Sequence, residues 1–388
     1  MPSPHSATAT PRPKRVIIVA PRFFPGRTYG AETYLYSLLA ELEQLDSDVE
    51  VVIVVNEDAA APIRARFPRL KVVTVKVPRV NFAVYLWEQM VLPRLLRQLG
   101  PHVLFFPFNI MPNVSWPSVL MVHDMVNDYY SREHPKFKPL LFRSRRRAIH
   151  ASIARASMIV TPTVAVADEI RMLMPRLSVP VVSIHEASFP AVADERRPVQ
   201  LAEGVKYFVL QSGHHAPHKN LALGIQAMAI LKAKQTDEYE KTYLVMTAER
   251  HDIGDLEELT RNLGVEEHVV FLGRVSSEEL EWLVRNASAL GFPSQYEGFG
   301  LGVAEGIDRG KVVLAADTPV FREVSHGRAY LFNPRDAEEY ARLIADAAMQ
   351  RLPILNIQAE RHKNWTWRDH VHQLMLVLET VVPQGDLK

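Results

Sequence analysis

The sequence predicts an α/β protein made of two Rossmann-like halves, each a parallel sheet covered by helices. Three observations carry this. Short β-branched runs alternate with helical patterns along the chain, the mark of parallel strands joined through covering helices. At 388 residues, with 47% hydrophobic and 23% charged, the chain exceeds one ordinary domain and has apolar content for two cores. Charge is divided unequally: residues 1–200 hold 25 basic and 17 acidic side chains, residues 201–388 hold 20 and 27, so a net charge of +1 conceals two units with different tasks.

In chain order, residues 1–14 (MPSPHSATATPRPK) lack the apolar core of a secretory signal and read as a disordered tail. A first domain over 15–190 follows, with strands predicted at 15–21, 50–56, 70–77, 102–108, 118–124, 157–163 and 180–185. Between them, Tyr34, Leu35, Leu38, Leu39 and Leu42 recur at i, i+3, i+4 spacing after Ala31, and Phe82–Leu99 behaves alike, so both predict helices. From Ser188 the pattern loses its period and gains Pro, Asp and Arg, which predicts a linker at 191–205. The second domain, 206–365, shows strands at 206–213, 243–248, 268–274, 288–294, 311–317 and 329–334, with helices opening near Asn220, Asp255, Ser277, Leu301 and Asp336. A last amphipathic segment occupies 366–388.

Composition removes several chemistries. Without cysteine there are no disulfides, thiolate nucleophiles, cysteine zinc sites or iron–sulfur clusters, and a reducing compartment is favoured. No run of about 18 apolar residues exists to span a bilayer, so a cytoplasmic location is expected. The P-loop and serine-hydrolase signatures are missing, and His214, His215, His218 and His251 lack metal-ligand spacing, so no metal is expected. The basic stretch Lys136–Arg155 interleaves Arg143, Arg145, Arg146 and Arg147 with Leu140, Leu141 and Phe142. As a helix it suits an anionic membrane surface or a phosphate-bearing acceptor, with Arg143 and Arg146 as contacts; the alternative is a solvated basic face. No nucleic-acid partner is expected.

Parallel sheets bind ligands beyond the carboxyl ends of their strands, so motifs at strand ends come first. In SALGFPSQYEGFGLGVAEGIDRG (288–310) a strand runs through a glycine-rich turn into a helix. Gly298, Gly300 and Gly302 let backbone approach a ligand, and the free N–H groups at the helix start form an anion site. Glu297 in the turn can hold sugar hydroxyls, and Glu305 farther along can reach ribose hydroxyls. In SGHHAPHKN (212–220), Lys219 offers phosphate oxygens a point charge at another strand end. In VLMVHDMV (119–126), His123 can bond a sugar hydroxyl or stabilise a departing anion, the alternative being a satisfied structural histidine, while Asp124 reads as a cap. In PRFFPGRTYGAETY (21–34), Gly26 and Gly30 permit close backbone approach and Arg27 offers a cation to a diphosphate or an acceptor.

Glu297 and Glu305, seven residues between them in FPSQYEGFGLGVAE, resemble the E-x7-E signature of the retaining family 4 glycosyltransferases. The flanking segments 271–294 and 311–336 are similar to the same family, as is the Trp-containing helix NWTWRDHVHQLMLVLETV (364–381). The branch most resembled is that of the lipopolysaccharide and polysaccharide mannosyltransferases, in which a residue other than Arg follows the glycine of the diphosphate turn, here His214.

The resemblance implies the GT-B fold: two Rossmann-like domains with parallel sheets facing a central cleft, and a last helix crossing back to the first domain. It implies transfer of a sugar, mannose or a related hexose or deoxyhexose, from a nucleotide diphosphate sugar to a hydroxyl of a glycan, lipid-linked glycan or small acceptor, with retention. A GDP-sugar is favoured over a UDP-sugar, no cofactor or divalent metal is required, and the enzyme is cytoplasmic or peripheral to the inner membrane face. Glu297, His123 and Lys219 become catalytic. Glu305, Gly298, Phe299, Gly300, Leu301, Ser212, Gly213, His214, Arg274 and Gly30 become donor contacts. Rival readings are a nucleotide-sugar epimerase of related architecture and an inactive nucleotide-sugar-binding subunit.

Overall fold

A computed structural model describes residues 14–26, 29–78, 81–136, 139–189, 191–205, 207–211, 213, 215–235, 237–248, 253–355 and 365–382. The N-terminal tail, Arg27, Ser212, His214 and His251 lie outside them. The chain divides into two units, Met1–Glu186 with Trp365–Lys388, and Ala187–Asn364.

The first unit runs β1 (Arg15–Ala20), α1 (Tyr29–Gln44), β2 (Glu50–Asn56), α2 (Glu57–Arg66), β3 (Lys71–Val75), α3 (Asn81–Met90), α4 (Leu92–Leu99), β4 (Val103–Phe106), β5 (Ser118–Met121), α5 (Val126–Glu133), α6 (Pro139–Ile153), β6 (Met158–Thr161), α7 (Val164–Leu173) and β7 (Val181–Ser183). Its strands form one parallel sheet in the order β3-β2-β1-β4-β5-β6-β7. β1 and β4 are buried along nearly their whole length, as strands covered on both faces must be, which is why they read as continuous apolar runs. The helix predicted over Phe82–Leu99 is two: α3 ends before Val91, and Pro93, lacking an N–H, stands in the first turn of α4. Asn56 closes β2 by capping α2 and by donating its Nδ2 to the carbonyls of Pro21 and Phe23, at 3.0 and 2.6 Å, which pins the loop after β1.

The second unit runs β8 (Tyr207–Gln211), α8 (Ala222–Ala233), α9 (Asp237–Lys241), β9 (Thr242–Met246), α10 (Gly254–Leu263), β10 (Val269–Phe271), α11 (Ser277–Asn286), β11 (Ala289–Phe292), α12 (Leu301–Asp308), β12 (Val313–Ala316), α13 (Pro319–Ser325), β13 (Tyr330–Phe332) and α14 (Ala337–Ala348). Its parallel sheet has the order β10-β9-β8-β11-β12-β13. Strand order reverses between β8 and β11, so the loops after these two strands open side by side at the switch point where open sheets take ligands. Those loops carry the two motifs richest in chemistry.

The predicted linker is corrected. Residues 191–205 belong to the second unit, because Leu201 and Val205 insert into the core made by Phe208, Leu210, Leu272 and Leu283. Polar composition hid two anchoring apolar side chains. The last helix, α15 (Trp367–Thr380), groups with the first unit and packs on α1, burying Trp367, Val371, Leu374 and Leu378.

Candidate functional site

In the second unit the turn after β8 ends in a single 3-10 turn, Pro217–Lys219, stopped by Asn220 in the left-handed region at φ 53°. The Asn220 Nδ2 donates to the carbonyls of Pro293 and Pro334 at 3.2 and 2.9 Å, and the Gln295 N–H donates to the His218 carbonyl at 2.7 Å. These bonds fasten the turn to the loop after β11. Lys219 Nζ thereby meets Glu297, donating to Oε1 at 2.7 Å and Oε2 at 2.9 Å. Burial alone would raise the Glu297 carboxyl. The positive charges of Lys219 and His218, with hydrogen bonds from Lys219 and Ser294, outweigh that and hold it below its ordinary value.

Gly300 precedes α12 at φ 87°, and a Cβ there would stand 2.5 Å from the Phe321 ring, so both backbone and space require glycine. The first N–H groups of α12 follow at once, at the start of an eight-residue helix, where backbone donors without intrahelical partners can take an anion. Phe299 has its side chain buried. Gly298 occupies the same loop, and Gly213 sits at φ 133° after β8.

Glu305 lies in the second turn of α12, half-buried, with its pKa pushed up to about 7. Burial is the first cause, and the negative charges of Glu281 and Asp308 add to it against Arg309. Arg309 is already held by Glu281, a 3% exposed carboxylate on α11, through Nη2 and Nε at 2.9 and 3.1 Å; Arg285 joins at 2.8 Å. Sequence reasoning misses this Glu281–Arg309 pair. The one legible part of the cluster is the i, i+4 spacing of Glu281 and Arg285 on α11. Arg274 stands exposed in the loop after the edge strand β10. His215 reaches Asp255 on α10 through Nε2 at 3.0 Å.

In the first unit His123 follows β5 with both ring nitrogens engaged, Nδ1 3.0 Å from Glu186 Oε1 and Nε2 2.8 Å from the Pro107 carbonyl. Its backbone N–H donates to Asn109 Oδ1 at 2.8 Å, and Asp124 Oδ1 accepts from the Val126 N–H. Burial works to lower the His123 pKa; Glu186, the Pro107 carbonyl and Asp124 overcome it and leave a net rise. Gly30, predicted in the loop, sits inside the first turn of α1, and the Gly26 N–H donates to Glu32 Oε2 at 2.7 Å. On α6, Arg143 is exposed, whereas Arg146 binds the buried Asp128 at 2.7 Å, which His150 also reaches at 3.0 Å. Arg146 therefore fixes α6 to α5. Among the described residues no cluster of three or more His, Asp or Glu side chains could hold a metal, and no helix is long and apolar enough to cross a membrane.

Two family models match the chain: "Glycosyltransferase Family 4" over residues 28–184 and "Glycosyl transferases group 1" over residues 192–365. The O-antigen chain mannosyltransferase RfbU of Salmonella typhimurium is 28% identical over 239 residues, which cover 60% of this chain and 61% of that protein. The GDP-mannose:cellobiosyl-diphosphopolyprenol alpha-mannosyltransferase of Komagataeibacter xylinus is 28% identical over 193 residues, covering 46% of this chain and 48% of that one. The matched region thus spans less than two thirds of either relative. Among solved structures, Anabaena HepE in complex with UDP-glucose superposes with a TM-score of 0.65 at 16% identity over 94% of this chain and 99% of that one. WaaG, a glycosyltransferase involved in lipopolysaccharide biosynthesis, gives 0.63 at 15% over 95% and 100%.

Proposed function

Since the chain belongs to the family 4, group 1 glycosyltransferases of GT-B fold, we propose that it transfers a hexose, mannose or a close relative, from a nucleotide diphosphate sugar to a hydroxyl with retention. The observation that carries this is the Lys219–Glu297 contact beside the N-terminus of α12, at the switch point of the second sheet. One small region offers a cation and amides to a diphosphate, and a carboxylate to sugar hydroxyls.

In this reading the diphosphate lies between Lys219 and the amides of Gly298–Leu301, with Ser212, Gly213 and His214 along the same turn and Arg274 as a further cation. Glu305 accepts from the ribose hydroxyls. Glu297 is ionised and positions the sugar instead of attacking it. The bond from C1 to the diphosphate oxygen breaks, C1 bonds the acceptor oxygen, and the acceptor proton passes to a phosphate oxygen of the leaving group. Stabilising that group is the main electrostatic task, and Lys219 with the helix end performs it without a divalent cation. His123, in the first unit, is assigned the charge-stabilising role that the family resemblance implies, its ring nitrogens held by Glu186 and the Pro107 carbonyl.

Acceptor binding is assigned to the basic first unit through Arg27 and Arg143. Exposed Leu140 and Leu141 lie next to Arg143 and Arg145 on α6 and suit an anionic membrane bearing a lipid-linked acceptor. A GDP-sugar is the favoured donor, in keeping with the GDP-mannose named for the Komagataeibacter relative.

Thermal shift with GDP and UDP, with and without magnesium, tests the donor site. A ligand at 100 times its Kd adds about 2.7 kcal/mol. Stabilisation by GDP without metal, lost in Lys219→Ala and weakened in Glu305→Ala, is expected. A flat response to both nucleotides would sink the assignment. Turnover of GDP-mannose without any acceptor would favour an epimerase instead.

A further inference from the structure

The partner of His123 has no part in the reaction as described so far. Glu186 is the last residue of the first unit before the chain enters the second, and its side chain is only 5% exposed. A satisfied histidine needs one acceptor; His123 has two, Glu186 Oε1 and the Pro107 carbonyl, and serving both takes two N–H groups. With the Glu186 carboxylate on Nδ1 and the Pro107 carbonyl on Nε2, the ring is held as an imidazolium would be, and against burial Glu186 raises the His123 pKa.

The surroundings direct that charge to His123. Tyr34 stands edge-on to the His123 ring at 4.7 Å between centroids and directs its hydroxyl to His370 Nε2 at 3.1 Å, while His370 Nδ1 donates to the His185 carbonyl at 2.9 Å. His370 thus accepts on one nitrogen and donates on the other, as a neutral ring does, and burial lowers its pKa. The titratable groups facing His123 are Glu186, Asp124, Tyr34 and His370, and of these Glu186 and Asp124 act to raise its pKa.

We propose that Glu186 is a positioning residue for sugar transfer. Its carboxylate fixes the ring plane of His123 and keeps both N–H groups on the ring, Nδ1–H on Glu186 and Nε2–H on the Pro107 carbonyl. This rests on the role given to His123 above.

The test uses Glu186→Gln, whose amide oxygen still accepts from Nδ1–H but carries no charge. Hydrogen-bond partners that orient metal-bound histidines are worth about 10–100-fold; with Glu186 orienting His123 in the same way, kcat should fall by that order, with KM for the donor changed by less than about twofold. Because the His123 pKa is raised, wild-type activity should persist until pH rises through that value, and the alkaline limb should move to lower pH in the variant. Titration of 15N-labelled ring nitrogens, assigned through His123→Asn, should show the same downward move without reference to turnover. Glu186→Asp, which keeps the charge, should hold the alkaline limb and recover most of the rate; it carries the test if Glu186→Gln does not fold.

Impaired transfer in His123→Asn, with kcat, the alkaline limb and the ring titration of Glu186→Gln unchanged, would overturn this proposal and leave the donor assignment standing. Unchanged transfer in His123→Asn would overturn the role of His123 and this proposal together, and nucleotide stabilisation would still judge the donor site separately.

Discussion

Lys219 and Glu297 are two partly desolvated ions that satisfy each other 2.7 Å apart, with side chains 22% and 15% exposed. Removing one strands the other. Lys219→Met is expected to cost about 1–3 kcal/mol, the penalty for an unpaired charged group, and to abolish nucleoside diphosphate stabilisation. Adding Glu297→Gln should restore most of the stability and none of the binding, which chemical denaturation and thermal shift will separate. Glu297 and Glu305 also respond oppositely to pH. Glu297, lowered from 4.5, stabilises the fold above its unfolded pKa, and that contribution is lost as pH falls through the folded value. Glu305, raised to about 7, gives stability that is complete below its unfolded pKa and lost as pH rises through about 7. Glu305→Gln is therefore expected to stabilise the protein at pH 8 by at most about 3 kcal/mol, a gain that vanishes by about pH 5, while weakening nucleotide binding. Equal melting temperatures of the two proteins at pH 8 would refute it.

At the scale of elements, α12 sits where it does because Gly306 lets it lie against β11 and β12. A Cβ on Gly306 would stand 2.7 Å from Leu290 Cδ1 and 2.8 Å from Val313 Cγ2. Gly306→Ala should lift the helix, cost about 1–3 kcal/mol as overpacking does, and reduce nucleotide affinity because Glu305 and the helix amides move with it. Calorimetric titration with GDP checks this. Among the described residues the central strands were legible because parallel strands buried on both faces, such as β1 and β2, are written as nearly unbroken apolar runs. Each of the two loops at the switch point was legible because its own residues are local in sequence, Glu297 and Gly300 in one and Lys219 in the other, whereas the Lys219–Glu297 contact joins residues 78 apart and was not. The Glu281–Arg309 pair was not, since 28 residues separate its members. Nor was the His123–Glu186 bond, which spans 63 residues and forms only when β5 and the segment after β7 lie in one sheet.

At the scale of the whole molecule, the first unit is completed by residues that follow the second in sequence. α15 buries Trp367, Val371, Leu374 and Leu378 against it, and His370 adds its bond to Tyr34. Leu374→Ala is expected to destabilise the first unit by about 2–5 kcal/mol, and hydrogen exchange should quicken in α1 and β1 while β8, β9 and β11 keep their protection. Equal acceleration in both units would show that they unfold as one.

The same discontinuity fixes an order of events on the ribosome. Residues 187–364 emerge as an uninterrupted stretch and can close their sheet and core while synthesis continues, because domains fold as units as they leave the tunnel. The first unit, although made earlier, is complete only when α15 has emerged, and until then Tyr34 lacks His370 and α1 lacks the helix that covers it. The part translated first is the part finished last.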